Sequence, residues 1–312
     1  MIKNTNKTNN SLITTLSRIR RQKMYYLFLL PAAIAVFIFN YLPMVGIGIA
    51  FQDFKVQNGF FGNEFVGLDN FVKFVKDPTF INAFMNTIKI SLLSIVFVFP
   101  APIILSLMID NVKNVRMKKL FQTITYLPHF VSWIIVATLV YRILDPYGGL
   151  NLIIKFLGHD EINFMREGAY FKTILILSNV WKEVGWNSII YLAAISSINP
   201  ELYQAAMVDG AGKFKQILHI TLPCIAPTIA LMFILNLGNL VRGQFDSVYN
   251  LMNPLVATQA EVIDTYVYRT GIQLAKYSYA TAVGLAQSLF SIVLVFIGFK
   301  WSKKMNGHSI ID

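Results

Sequence analysis

The chain has 312 residues, of which 55% are hydrophobic and 14% charged, with a formal net charge of +11 and a mean hydropathy of +0.55. A soluble domain carries about 25% charged residues, so this composition argues against an ordinary cytosolic enzyme. The Lys and Arg excess fits basic loops on the inner side of a membrane better than nucleic-acid binding, and the lone Cys224 excludes an internal disulfide or a four-cysteine zinc site.

The chain opens with a basic segment, 1–24, holding Lys3, Lys7, Arg18, Arg20, Arg21 and Lys23 and no acid. Its basic region and apolar run are both too long for a cleaved signal peptide, and no small-residue cleavage site follows. A helix needs about 20 apolar residues to cross the hydrocarbon core. Tyr25–Ala50, Ile90–Ile109, Leu120–Tyr141 and Ala280–Phe299 are such windows without Lys, Arg, Asp or Glu. Thr173–Ile198 is interrupted only by Lys182 and Glu183, and Leu222–Val241 contains Asn236 and Asn239. The expected fold is all-α and integral to the membrane, with six transmembrane helices over 25–300 and a short tail, 301–312. Prolines inside these windows are tolerated, because neighbouring helices satisfy the freed backbone groups.

Orientation follows the basic residues. Besides the N-terminal segment, Lys113, Arg116, Lys118 and Lys119 fall in the second inner connection, Lys213 and Lys215 in the next, and Lys300, Lys303 and Lys304 at the end. Both termini are therefore expected in the cytoplasm. The outer connections Gln52–Phe80, Arg142–Lys172 and Arg242–Tyr279 are long and rich in aromatic and apolar residues, so they are expected to fold into a cap.

The inner loop 199–223 is the most informative stretch. Asn199 can cap a helix, Pro200 suits its first position and Glu201 complements the positive end of its dipole. Gly210 stands where the helix would stop in a left-handed turn. That predicts a helix of about ten residues, roughly 15 Å long. A second short helix, Lys213–His219, then runs to Pro223. Ala205 and Ala206 keep the first helix narrow enough for a partner's groove, and Tyr203 and Met207 stand one turn apart as an apolar contact. Gly210-Ala211-Gly212-Lys213 is not a phosphate-binding loop: Met207 stands at the first glycine position and Phe214 replaces the Ser or Thr.

Gln204-Ala205-Ala206, Asp209-Gly210-Ala211 and Ile220-Thr221-Leu222-Pro223 resemble the cytoplasmic EAA loop of binding-protein-dependent ABC importer permeases. Phe39-Asn40-Tyr41-Leu42-Pro43, Tyr126-Leu127-Pro128-His129-Phe130, Asn253-Pro254 and Ile263–Arg269 extend the likeness to the carbohydrate, maltose-type branch and its LplB-like polysaccharide permeases, over roughly residues 20–305. The resemblance implies a type I importer permease of the bacterial cell membrane that carries out no chemistry itself. ATP and Mg would be used by two partner ATPase subunits, and no cofactor is expected in this chain. A second homologous permease, an extracellular solute-binding (lipo)protein and a carbohydrate substrate would complete the system, with no nucleic acid. Residues carried onto the coupling motif are Ala205, Ala206, Asp209, Gly210 and Ala211, with Glu201 and Tyr203 beside them. Gln204 stands where the family has glutamate, replacing a charge-assisted bond by a neutral one.

Ionisable and amide residues inside spans are costly and default to function. Asn179, Glu183, Trp186 and Asn187 share a face of the fourth span, and Asn236 and Asn239 a face of the fifth. Amides, a carboxylate and an aromatic ring are what a pyranose needs, and in the maltose-type family sugar contacts come from these same spans. Lys182, about 100° around the helix from Glu183, is not expected to face it. Asn86 and Lys89 are expected at the interface, and His129 as structural. A membrane enzyme is a poor alternative because Asp160-Glu161 is the only adjacent acid pair, and a secondary transporter because no internal inverted repeat is visible.

Overall fold

The computed structural model describes residues 22–306, so most of the basic 1–24 segment and the end of the 301–312 tail lie outside the described residues. Proline chemistry shapes the long rods. Helix α1 spans Lys23–Phe51, and the short α2 Asp69–Val75. Helix α3 covers Pro78–Asp110. A proline lacks the N–H and its ring strikes the carbonyl four residues back. In α1, α3 and the later α9 (Lys213–Leu240) that carbonyl, of Phe39, Val96 and His219, sits within a widened π turn: Phe37–Tyr41 before Pro43, Ser94–Val98 before Pro100, and Ile217–Thr221 before Pro223. The rods therefore continue past these three prolines, while Pro31 and Pro227 lie inside regular α-helix.

The third apolar window behaves differently. Helix α4, Val115–Phe130, ends in a tight turn at Leu127–Phe130 containing Pro128. Val131 is extended, and Ser132 caps α5, Trp133–Leu144, by accepting from the Ile135 N–H. The two segments meet at 103°, so Leu120–Tyr141 is a broken element, not one straight helix. After α6 (Gly149–Phe156), α7 runs unbroken over Gly168–Ser196, 29 residues or about 43 Å. Gly185 allows α7 to touch α4: a Cβ there would overlap the Thr125 carbonyl.

Four rods, α1, α3, α9 and Tyr277–Lys300, are long and apolar enough to cross a membrane, or five spans if the bent pair is one. The polar residues of α7 keep it below that hydropathy, although its length suffices. Helix α8, Pro200–Val208, follows α7. The expected separate helix Lys213–His219 is corrected: it runs through the π turn into α9 as one rod.

The three long connections gather at the end of the bundle opposite α8. They contain α10 (Phe245–Leu251), α11 (Ala257–Ala260) and α12 (Ile263–Tyr268), before the last helix, α13 (Tyr277–Asn306). One buried cluster joins Ile90, Phe171 and Leu175 of the rods to Val248, Leu251, Val256 and Val262 of the cap. A second joins Ala50, Phe74, Val241 and Val283 to Ile263 and Tyr266. Asn86 is buried here, contrary to the interfacial expectation, donating to the carbonyls of Thr258 (2.9 Å) and Glu261 (3.2 Å). Asp77 accepts from the hydroxyls of Tyr266 (2.6 Å) and Tyr279 (3.0 Å). Burial pushes the Asp77 carboxyl up, but its hydrogen bonds from Tyr266, Thr79 and Tyr279 outweigh that and hold it below the usual value. Among the described residues the one β feature is an isolated bridge, Gln52 to Phe65.

Candidate functional site

Two polar constellations stand out, one at each depth of the bundle. The first is the loop around α8. The Asn199 side chain accepts from the Glu201 N–H at 3.0 Å, and its amide donates to the Glu201 carboxylate at 3.2 Å. At the other end Gly210 is left-handed, φ +75°. Its N–H donates to the Met207 carbonyl (3.1 Å) and that of Ala211 to the Ala206 carbonyl (2.8 Å). This pair of bonds is the Schellman closure expected of a C′ glycine.

The loop is fastened to α9 by two bonds. The Tyr203 hydroxyl meets the Thr221 hydroxyl at 2.9 Å, and buried Gln216 donates to the Ala211 carbonyl at 2.8 Å. Half-buried Tyr203 thus ties the loop inward through its hydroxyl. Gln204, Ala205, Met207, Asp209 and Gly210 are exposed, Ala206 and Ala211 half-buried. Val208 and Phe214, 89% and 77% exposed, flank them. These two apolar side chains were not singled out in the sequence reading; the signal was Phe214 standing where a phosphate loop would need a hydroxyl.

The second constellation lies where the bend between α4 and α5 meets α7. His129 Nδ1 is 2.9 Å from a Glu183 carboxylate oxygen. The His129 ring stacks on Trp186, centroids 4.6 Å apart and 1° from parallel. Phe130 meets the same indole edge-on at 5.5 Å. Buried Lys182 donates to the His129 carbonyl at 2.6 Å and lies 3.6 Å from the other Glu183 oxygen. The expectation that Lys182 and Glu183 do not meet is therefore corrected: the flexible lysine stem spans the 100° between them. His129 was read as structural; its partner Glu183 is 54 positions away in sequence, a contact no local pattern announces.

The other candidates are placed as follows. Asn187 and Asn236 line one cavity of about 60 Å³ between α3, α7 and α9, with Tyr191 and Phe233. Asn179 and Asn236 donate back to helix carbonyls, of Leu175 (2.9 Å) and Met232 (3.1 Å), leaving their amide oxygens available. Asn239 is exposed one turn further along. Glu183 and Trp186 are thus brought together, as are Asn187 and Asn236, while Asn179 and Asn239 extend the two faces toward the cap. Such an arrangement can accept and donate hydrogen bonds and cover an apolar ring face; it holds no nucleophile paired with a base. Among the described residues no group of three or more His, Cys, Asp or Glu side chains could hold a metal ion.

Residues 99–306 match the family model described as "Binding-protein-dependent transport system inner membrane component". The chain is 41% identical to the polygalacturonan/rhamnogalacturonan transport system permease protein YteP of Bacillus subtilis strain 168, over 95% of this chain and 92% of that one. It is also 41% identical to Protein LplB of the same organism, over 96% and 94%. Among solved structures, a bacterial ABC transporter involved in import of the acidic polysaccharide alginate superposes with a TM-score of 0.87 at 41% identity, covering 94% of this chain and 99% of that one. A second structure shows that alginate transporter with a periplasmic protein bound to an alginate pentasaccharide, again at TM-score 0.87.

Proposed function

The chain belongs to the family of binding-protein-dependent transport system inner membrane components, and on that premise we propose which residues carry the cargo and which receive the driving force. The protein is a permease subunit of an ATP-driven carbohydrate importer, not an enzyme; ATP hydrolysis belongs to partner subunits. We read six spans, with α7 as the fourth: its 29 residues reach about 43 Å, more than a hydrocarbon core. Both termini and α8 face the cytoplasm of a bacterial cell, and the cap faces outward. The domain division is a basic segment 1–24, a permease body 25–300 with its coupling loop 199–223, and a tail 301–312. ATP and Mg act in the two ATPase subunits, and this chain needs no cofactor.

The observation that carries the coupling role is the exposed, rigidly capped α8. Asn199 fixes one end, Gly210 the other, and Tyr203 and Gln216 bind it to α9. A push on α8 is therefore passed to the rod that bears Asn236 and Asn239. Glu201, Gln204, Ala205, Ala206, Asp209, Gly210 and Ala211, with Met207, Val208 and Phe214 beside them, form the ATPase contact. A second homologous permease closes the pathway, and an extracellular binding (lipo)protein docks on the cap.

The cargo is an oligosaccharide. The stacked Trp186 and His129 offer a flat aromatic face, Glu183 and the amides of Asn179, Asn187, Asn236 and Asn239 offer hydroxyl partners, and the relatives move polygalacturonan/rhamnogalacturonan and alginate. Because those are uronate polymers, the favoured class is an acidic oligosaccharide. Uptake into proteoliposomes containing the complete complex tests this. Oligosaccharides should stimulate ATP hydrolysis and accumulate, and Trp186→Ala should raise KM by about twofold to tenfold, a stacking contact being worth roughly 0.5–1.5 kcal/mol. Stimulation by peptides or phosphate esters instead of sugars would overturn the cargo assignment.

A further inference from the structure

The row of candidate contacts on α7 does not stop at Asn179. Counting outward from Trp186, Glu183 and Asn179, the same face reaches Lys172 after another seven residues, about 21 Å from one end to the other. Lys172 is half-buried, and its ammonium donates to the Gln259 carbonyl at 3.0 Å, on α11 of the cap. On the other flank of α11, Asn82 and Asn86 of α3 donate to the Thr258 carbonyl (2.6 and 2.9 Å). Lys89 is the next residue on that α3 face, and it is exposed.

Neither lysine is among the ion pairs found within 4 Å among the described residues. The acid on this part of the cap, Glu261, is already engaged through both oxygens by Arg269, at 2.7 and 3.0 Å. Further down the row, Glu183 is engaged by His129 and Lys182. Two like charges thus flank one short helix while Glu261 and Glu183 are already paired; Glu167, exposed beside Gly168 at the start of α7, joins neither lysine in an ion pair within 4 Å among the described residues. An anion placed between the two lysines would be attracted to both.

We propose that Lys89 and Lys172 form a carboxylate-binding subsite at the cap end of the α7 row, which selects oligosaccharides bearing uronate groups as they enter. The inference rests on the carbohydrate reading above and deepens it. The hydroxyl-binding residues recognise sugars in general, and the lysine pair supplies the preference for acidic ones.

The test uses the complete complex in proteoliposomes, with an oligogalacturonide and a neutral malto-oligosaccharide of equal length as probes. The Lys89→Gln/Lys172→Gln double variant should raise KM for the acidic probe by about tenfold or more and leave the neutral probe within about twofold. Added salt should raise the wild-type KM for the acidic probe and have little effect on the double variant. Lys172→Arg, which keeps the charge, should preserve the preference. Equal loss for both probes would overturn the proposal, because it marks a structural role. So would a loss that tracks the anionic lipid content of the vesicles, because it marks a lipid headgroup as the anion. Wild-type uptake of the neutral probe alone would overturn the subsite and leave the sugar-importer reading intact. Uptake of neither probe would sink both.

Discussion

At the scale of single residues, the clearest constraint is Gly210. Its φ of +75° costs an L side chain about 1–2 kcal/mol, although the space around a Cβ there is empty. The penalty is therefore conformational, not steric. Gly210→Val should misalign the end of α8 while the bundle folds, so ATP hydrolysis persists and uptake falls severalfold. Gly210→Asn, which tolerates the left-handed region, should retain coupling better. Normal transport by the valine variant in the reconstituted complex would end the coupling role of this loop. Asp77 makes a different kind of prediction. Its folded-state value lies below the unfolded one, so its ionised form adds stability above the unfolded carboxylate range, near pH 4. That contribution disappears as pH falls through the folded value. Asp77→Asn still accepts from the Thr79 N–H but loses charge-assisted bonds from two tyrosines. It should lower stability by about 1 kcal/mol at neutral pH, with the gap to wild type closing on acidification. Thermal unfolding in detergent at about pH 7 and about pH 3 measures this; a gap of equal size at both would assign the loss to packing.

At the scale of elements, the parts most legible in the sequence were those specified by neighbours in the chain. Asn199, Pro200 and Gly210 each impose a local conformation, and α8 begins and ends where they require. The apolar windows of α1, α3, α9 and α13 likewise became rods, since apolar length is itself the physical cause of spanning. What was not legible depends on distant partners. Pro128 breaks its window at 103°, whereas Pro43, Pro100 and Pro223 are absorbed by π turns. The residue type is the same; the difference lies in the extended Val131 and the Ser132 cap that follow Pro128. Similarly, the pairing of Glu183 with His129 requires the bend to exist first. The contact of α7 with α4 at Gly185 holds that bend in place, because it brings the Thr125–Tyr126 backbone against the glycine. Gly185→Leu should therefore destabilise the fold by about 1–3 kcal/mol or more through overpacking against backbone. The checks are thermal unfolding and the intrinsic fluorescence of Trp186, whose environment includes His129 and Phe130. An unchanged melting temperature and spectrum would show that the two helices have room to part.

At the scale of the whole molecule, burial is distributed unevenly. The cap end holds both buried clusters, yet the most apolar stretch of α1 is only 6% buried and that of α9 17%. Large side chains such as Phe28 and Phe39 of α1, Leu235 of α9 and Phe296 of α13 are exposed. Lipid can cover part of that surface, but lipid does not satisfy the exposed Asn236 and Asn239 that share α9 with it. On the proposed reading a closed pathway needs another protein surface facing these amides, and at the far end of the bundle α8 presents Met207, Val208 and Phe214 to solvent in the same way. On the reading proposed above, the isolated chain is a part of an assembly. Partners that bind only the folded form stabilise it by mass action, by about 2.7 kcal/mol at a hundredfold excess over Kd. Co-purification with the second permease and the ATPase subunits should therefore raise the melting temperature above that of the chain alone in the same detergent. Removing the ATPases from the complex should return only part of that gain, since the face bearing Asn236 and Asn239 stays covered by the permease. A chain whose melting temperature is indifferent to all of these partners would be a self-sufficient unit, and the reading of its polar faces as shared surfaces would be wrong.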